Sequence, residues 1–188
     1  MNVKGSYGRF ACILDKYSEQ DGRLLLVQRG LKVDPITQTP KWDGRWNLPG
    51  GGVDEKDAEK SLTSEQIVAR EVREETGFDV KIIDFRPIGE YPTAKHTDLV
   101  ITYLCGVVGG KLQTNEEGVS FRYVAPDEVM AMARIGDVPD GLVGGIKTLT
   151  GGVPRHIQMC LHYFTRACPN EFYQEKAREY CVALGIPQ

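Results

Sequence analysis

The chain of 188 residues is 41% hydrophobic and 26% charged, and its 23 basic and 26 acidic side chains leave a net charge of -3. That length is about one domain, and a domain of this size buries roughly 70% of the surface its unfolded chain exposes, so the expectation is one folded domain, against disorder and against a large multidomain machine. The charge balance carries no electrostatic footprint for duplex nucleic acid, whereas a small anion held through a local cation remains compatible with it.

Strands are expected at Arg9–Leu14, Leu24–Gln28, Val80–Ile88, Leu99–Val108 and Val119–Val124, each rich in β-branched, aliphatic or aromatic residues and bounded by turn residues. One strong helix lies among them. It should start at Thr63, whose hydroxyl pairs with Gln66 in a capping box, and end near Thr76 because Gly77 suits the left-handed turn that follows a helix. Two segments, Gly30–Arg45 and Gly50–Leu62, read as long loops of the kind that carry function. Beyond them, Ile157, Cys160, Leu161 and Phe164, then Tyr173, Ala177, Tyr180, Cys181 and Leu184, recur at helical spacing. They predict two amphipathic helices, preceded by a hinge at Gly144–Gly145 and Gly151–Gly152.

Five cysteines, Cys12, Cys105, Cys160, Cys168 and Cys181, form no C-x-x-C pair, which argues for reduced thiols rather than a disulfide framework or a zinc ribbon. No apolar signal stretch opens the chain and no segment approaches the ~20 apolar residues of a membrane span. The expected address is cytoplasmic, away from membranes. His156 and His162 stand six apart on an expected helix and cannot form an i, i+4 metal pair, and His96 is solitary, so all three read as structural or solvated.

The chemistry concentrates in LPGGGVDEKDAEKSLTSEQIVAREVREETGF, Leu48 to Phe78. Glu71, Glu74 and Glu75 fall at i, i+3 and i+4, which places three like charges on one helical face. Glu74 and Glu75 also occupy the last turn, where the helix dipole disfavours anions by roughly 0.3–1 kcal/mol each. Such a cluster calls for a compensating cation. Arg70 and Arg73 can supply it as intrahelical ion pairs. The alternative is a hard divalent ion, because clustered carboxylates beside the glycine turn Gly50-Gly51-Gly52 offer carboxylate and backbone carbonyl oxygens together.

This segment resembles the signature of the Nudix hydrolases, G-x5-E-x7-R-E-U-x-E-E-x-G-U with U bulky and apolar. Arg70-Glu71-Val72-Arg73-Glu74-Glu75-Thr76-Gly77-Phe78 matches its second half at every specified position. The first half departs, since position 62, eight before Arg70, is leucine where the family has the glutamate that anchors the arginine. About four residues are inserted in the turn, and Glu59 or Glu55 is expected to take over the anchoring of Arg70.

The resemblance implies an α/β fold, a Nudix-type α/β/α sandwich with a mixed β-sheet, forming a single domain over 1–188 with its core at about 8–135 and a helical extension at about 136–188. It also implies Mg²⁺- or Mn²⁺-dependent hydrolysis of the diphosphate linkage in a nucleoside diphosphate derivative, with water as nucleophile and a nucleoside monophosphate released. By motif position, Glu71, Glu74 and Glu75 would bind metal, with the Gly51 carbonyl as an additional ligand. The general base is either Glu71 or a residue of a later loop, Glu116 or Glu117. Trp46 and, less so, Trp42 are candidates to stack on a nucleobase, and Arg29, Arg45, Lys32 and Lys41 surround the same loop as candidate phosphate ligands. The alternative function is a nucleotide-sensing module without catalysis. The apolar stripes of the last two helices can serve a homodimer.

Overall fold

The computed structural model describes residues 8–14, 21–33, 40–53, 57, 59–92, 99–135 and 155–188. Nine strands and four helices are defined within them: β1 (Gly8–Leu14), β2 (Leu24–Arg29), β3 (Leu31–Val33), β4 (Pro40–Asp43), β5 (Trp46–Asn47), β6 (Gly50–Gly52), α1 (Ser64–Thr76), β7 (Phe78–Pro92), β8 (Leu99–Gly110), β9 (Gly118–Val124), α2 (Pro126–Ile135), α3 (Arg155–Arg166) and α4 (Glu171–Leu184). The expected hinge glycines, Glu55 and His96 lie outside the described residues.

One sheet has the order β6-β1-β8-β7, a second β5-β2-β9, and β3-β4 form a two-stranded ribbon. Strand β1 runs parallel to β8 and antiparallel to β6, so the larger sheet is mixed. Side chains alternate across the strands, as the two-residue period requires. Ala11, Ile13 and Leu25 pack with Val68 and Val72 of α1 in one core layer. Their neighbours Cys12, Leu24 and Leu26 join Ile157, Leu161 and Phe164 in another. Helix α1 thus covers one face and the C-terminal helices the other, the α/β/α sandwich that the resemblance implied. All five cysteines are free and buried.

Helix α1 is bounded as its sequence predicts. Thr63 Oγ1 accepts from the Gln66 N–H, the Gln66 side chain accepts from the Thr63 N–H, and Gly77 closes the helix at φ 78°. The second expected loop is partly ordered into β6, because the backbone of the glycine turn pairs with Gly8–Phe10 of β1. The first holds the β3-β4 ribbon, and β5 follows directly after it. Helix α2 was absent from the expected elements.

The C-terminal helices are tied to the turn before β2. Tyr163 Oη donates to the Gly22 carbonyl at 3.0 Å, and the Cys168 thiol donates to the same oxygen at 3.3 Å. Gly22 has φ 65°, and a Cβ there would lie 2.4 Å from Cys168 Sγ. Gly22→Ala therefore combines left-handed strain with overpacking and is expected to cost about 2–3 kcal/mol. A thermal melt unchanged from wild type would show that this turn relaxes freely.

Candidate functional site

The junction between β6 and α1 collects the box residues. The three carboxylates do not share one environment: Glu75 is 1% exposed, Glu71 13% and Glu74 51%. The helix turns Glu75 under the glycine turn, where its Oε2 accepts from the Gly50 N–H at 2.7 Å and its Oε1 from Arg29 Nη2 at 2.7 Å. Burial, with a contribution from the Glu71 charge, pushes the Glu75 carboxyl up to about 7 against the opposing pull of Arg29 and the Gly50 N–H. Glu71 lies against Gly51 so closely that a Cβ there would sit 2.2 Å from Glu71 Oε2. A side chain at 51 would therefore push the Glu71 carboxylate out of this position, and glycine leaves it in place. Burial also raises the Glu71 carboxyl, with Arg70 opposing.

Arg70 organises the outer side. It donates to Asp57 through both Nε at 2.9 Å and Nη2 at 2.6 Å, to Glu71 Oε1 at 2.8 Å, and to Glu74 Oε2 at 2.7 Å. A fork-shaped pair of this kind is stronger and more directional than a single contact. The anchor of Arg70 is therefore Asp57, 2% exposed, and not Glu59, whose side chain is exposed. Counting the motif forward from Gly51, instead of backward from Arg70, lands on Asp57 at the position of the family's glutamate. The extra residues thus lie after the anchoring acid and form part of the lead into α1. Arg73 turns away to Asp79 at 2.6 Å.

The remaining candidates divide. Arg29, expected to grip phosphate, is engaged with Glu75, and a register shift in the β2–β9 ladder falls between Gln28 and Arg29. Trp46 is half-buried and packs against the core that includes Leu24 and Leu26. Arg45 is half-buried, and its carbonyl accepts from the Arg29 N–H at 3.1 Å. The side chains of Trp42, Lys32 and Lys41 lie outside the described residues.

Glu116 and Glu117 are on the loop that follows β8 and closes over the end of α1. There the Lys111 N–H donates to the Gly77 carbonyl at 3.3 Å, the Gln113 N–H to Thr76 at 2.9 Å, and Asn115 Nδ2 to Glu74 at 2.5 Å. Helix ends leave their last carbonyls without intrahelical partners, and this loop supplies them. It also reaches the residue that follows β2, since the Gly30 N–H donates to the Glu117 carbonyl at 3.1 Å.

Among the described residues, no three His, Cys, Asp or Glu side chains converge as a preformed metal cage. The candidate ligands at the junction, the Glu71 and Glu75 carboxylates, offer oxygen alone, and Arg29, Arg70 and the Gly50 N–H supply their countercharge and hydrogen bonds in this structure. That set fits a hard ion such as Mg²⁺ or Mn²⁺ and not a soft one.

The comparisons agree with this geometry. The NUDIX domain family model matches residues 8–141, and the chain belongs to that family. A MutT-like protein of Streptomyces ambofaciens is 34% identical over 110 residues, which cover 58% of this chain and 60% of the relative. The matched segment thus spans less than two thirds of that relative. Two solved structures share the fold: a Streptococcus suis ADP-ribose pyrophosphatase, with TM-score 0.53 and 24% identity over 87% of this chain and 94% of the other, and a Nitrosomonas europaea NUDIX hydrolase, with TM-score 0.57 and 20% identity over 85% and 88%. No helix among the described residues is long and apolar enough to cross a membrane.

Proposed function

We propose that this chain is a pyrophosphohydrolase that cleaves the diphosphate linkage of a nucleoside diphosphate derivative with the help of Mg²⁺ or Mn²⁺. The observation that carries the reading is the placement of Glu75. A carboxylate held in the interior by one backbone N–H and one guanidinium, beside a second carboxylate folded against Gly51, is costly for a structural role and useful for binding a cation. Glu71 and Glu75 would hold the ion, with Glu74 and the Gly51 carbonyl available to complete its coordination. When bound, the ion neutralises phosphate oxygens and lowers the pKa of the attacking water.

The chain's own groups do the rest. Arg29 keeps Glu75 oriented, and Arg70, braced by Asp57, keeps Glu71 and Glu74 in place. Arg45, beside the same turn, is suited to a phosphate of the substrate. Water attacks one phosphorus, the bridging P–O bond breaks, and the bridging oxygen leaves with the other half of the substrate. We assign the water's proton to Glu117 rather than Glu116. Its N–H is bound by Asn115 Oδ1 at 2.8 Å and its carbonyl by the Gly30 N–H, and its side chain is half-buried whereas that of Glu116 is exposed. Phosphoryl transfer needs mainly positioning and charge stabilisation, which this arrangement supplies.

The test is a panel of ADP-ribose, nucleotide sugars, dinucleotide polyphosphates and nucleoside triphosphates assayed with Mg²⁺, with Mn²⁺ and with chelator. At least one compound should release a nucleoside monophosphate, and only with metal; no release from any would overturn the reading. Glu117→Gln should slow turnover on that substrate by about 10²–10⁴-fold, the usual worth of a positioned base. An unchanged rate would return the role to Glu71 or Glu116.

A further inference from the structure

Resting on the assignment of Glu117 as base, we propose that Asn115 is a positioning residue that locks the Glu116–Glu117 loop to the C-terminal end of α1 and thereby sets where the Glu117 carboxylate reaches. The single amide works in both directions. Its Nδ2 donates at 2.5 Å to the carbonyl of Glu74, in the last turn of the helix that carries the acidic cluster. Its Oδ1 accepts from the N–H groups of Glu117 and Gly118, each at 2.8 Å. The Asn115 N–H closes the turn by donating to the Gly118 carbonyl at 2.9 Å.

The far side of the loop is fixed as well. The Glu117 carbonyl accepts from the Gly30 N–H, next to Arg29, which holds Glu75. Two glycines let these backbones meet: a Cβ on Gly118 would lie 2.3 Å from the Glu75 carbonyl oxygen, and one on Gly30 2.3 Å from that of Glu116. Glu117 is therefore pinned from both sides to the two elements that present Glu75, and the Asn115 side chain is the only one of these ties that mutation can remove without moving backbone. Asparagine fits because it carries a donor and an acceptor on a short stem, whereas aspartate lacks the donor.

The exposed loop contributes little to the core, so the wild-type melt should persist in Asn115→Ala and Asn115→Asp. A misplacement of about 1 Å can cost on the order of 10²-fold, so both variants should lose kcat by roughly 10–100-fold with little change in KM. The deciding measurement is the double variant with Glu117→Gln. If Asn115 acts through Glu117, Asn115→Ala should have almost no further effect once Glu117→Gln has removed the base. An Asn115→Ala loss that is equally large in both backgrounds would overturn the positioning role and leave the base assignment standing. A Glu117→Gln enzyme as fast as wild type would overturn both, whereas an Asn115→Ala enzyme with normal kcat would overturn the clamp alone.

Discussion

Glu75→Gln is expected to abolish turnover while leaving the metal-free protein, at pH 8, at least as resistant to heat as wild type. The two halves of that result have one cause. Burial is the main reason the Glu75 carboxyl is pushed up to about 7 from an ordinary 4.5, with the Glu71 charge adding to it. Between those values the unfolded chain has released a proton that the folded protein retains. Folded-state binding of the extra proton means that stability falls as pH rises through this window and is level above it, by up to about 3 kcal/mol at ~1.36 kcal/mol per unit. Glutamine is uncharged at every pH, so the variant should lack this decline. Its amide oxygen can keep the Gly50 N–H bond, while Arg29, 27% exposed, can turn to water.

Metal reverses the order. A ligand that binds only the folded state stabilises it in proportion to the logarithm of its concentration over Kd, so Mg²⁺ should raise the wild-type melt and leave Glu75→Gln unmoved. Melts from pH 5 to 8, with EDTA and with millimolar Mg²⁺, read both effects. An equal response of the two proteins to Mg²⁺ would remove Glu75 from the metal ligands. Because Glu71 and Glu75 interact, the observed titration belongs to the pair.

Much of this site was legible because local signals and tertiary structure agree. The caps of α1 are written in Thr63, Gln66 and Gly77, and the spacing of the carboxylates follows from helical geometry alone. Other parts depended on partners distant in sequence. Three glycines in a row read as a turn, and Gly50–Gly52 form a strand because β1 offers its backbone to them. Strand β7 runs past its expected start and end, with register shifts at Asp79/Val80, Ile82/Asp84 and Asp84/Gly89 that break the two-residue period. Helix α2 left a signal that was available: Pro126 suits a first helical position, Asp127 and Glu128 follow it, and Glu128 Oε2 caps the start by accepting from the Ala125 N–H at 2.9 Å. The alternative source of countercharge, the helix's own arginines, is half realised, through Arg70 but not Arg73. Arg29 as the second cation was hidden because 46 residues separate it from Glu75.

Asp57→Ala is expected to weaken metal binding and stability together. Removing one partner of a fully buried ion pair costs roughly 3–5 kcal/mol. Arg70 is 26% exposed and keeps Glu71 and Glu74, so the cost here should be nearer 2 kcal/mol, a fall of about 4–8 °C for a chain of this size. The larger consequence concerns the site. Burial works against the Arg70 charge, and Asp57, then Glu71 and Glu74, more than offset that cost for a guanidinium that is charged in any case. Without Asp57 that charge is satisfied only by the carboxylates proposed to bind metal, so the ion must compete with it. The Mg²⁺ concentration for half-maximal activity should rise by at least about tenfold, as for lost outer-sphere partners of metal ligands. Asp57→Asn, which keeps the shape and one acceptor, should fall between wild type and alanine. Asp57→Glu restores the family's residue type at this position, yet it adds a methylene at a site 2% exposed and should cost stability rather than improve it. If the Asp57→Ala enzyme kept the wild-type Mg²⁺ requirement, Arg70 would be holding the helix lead in place and not the metal-binding carboxylates.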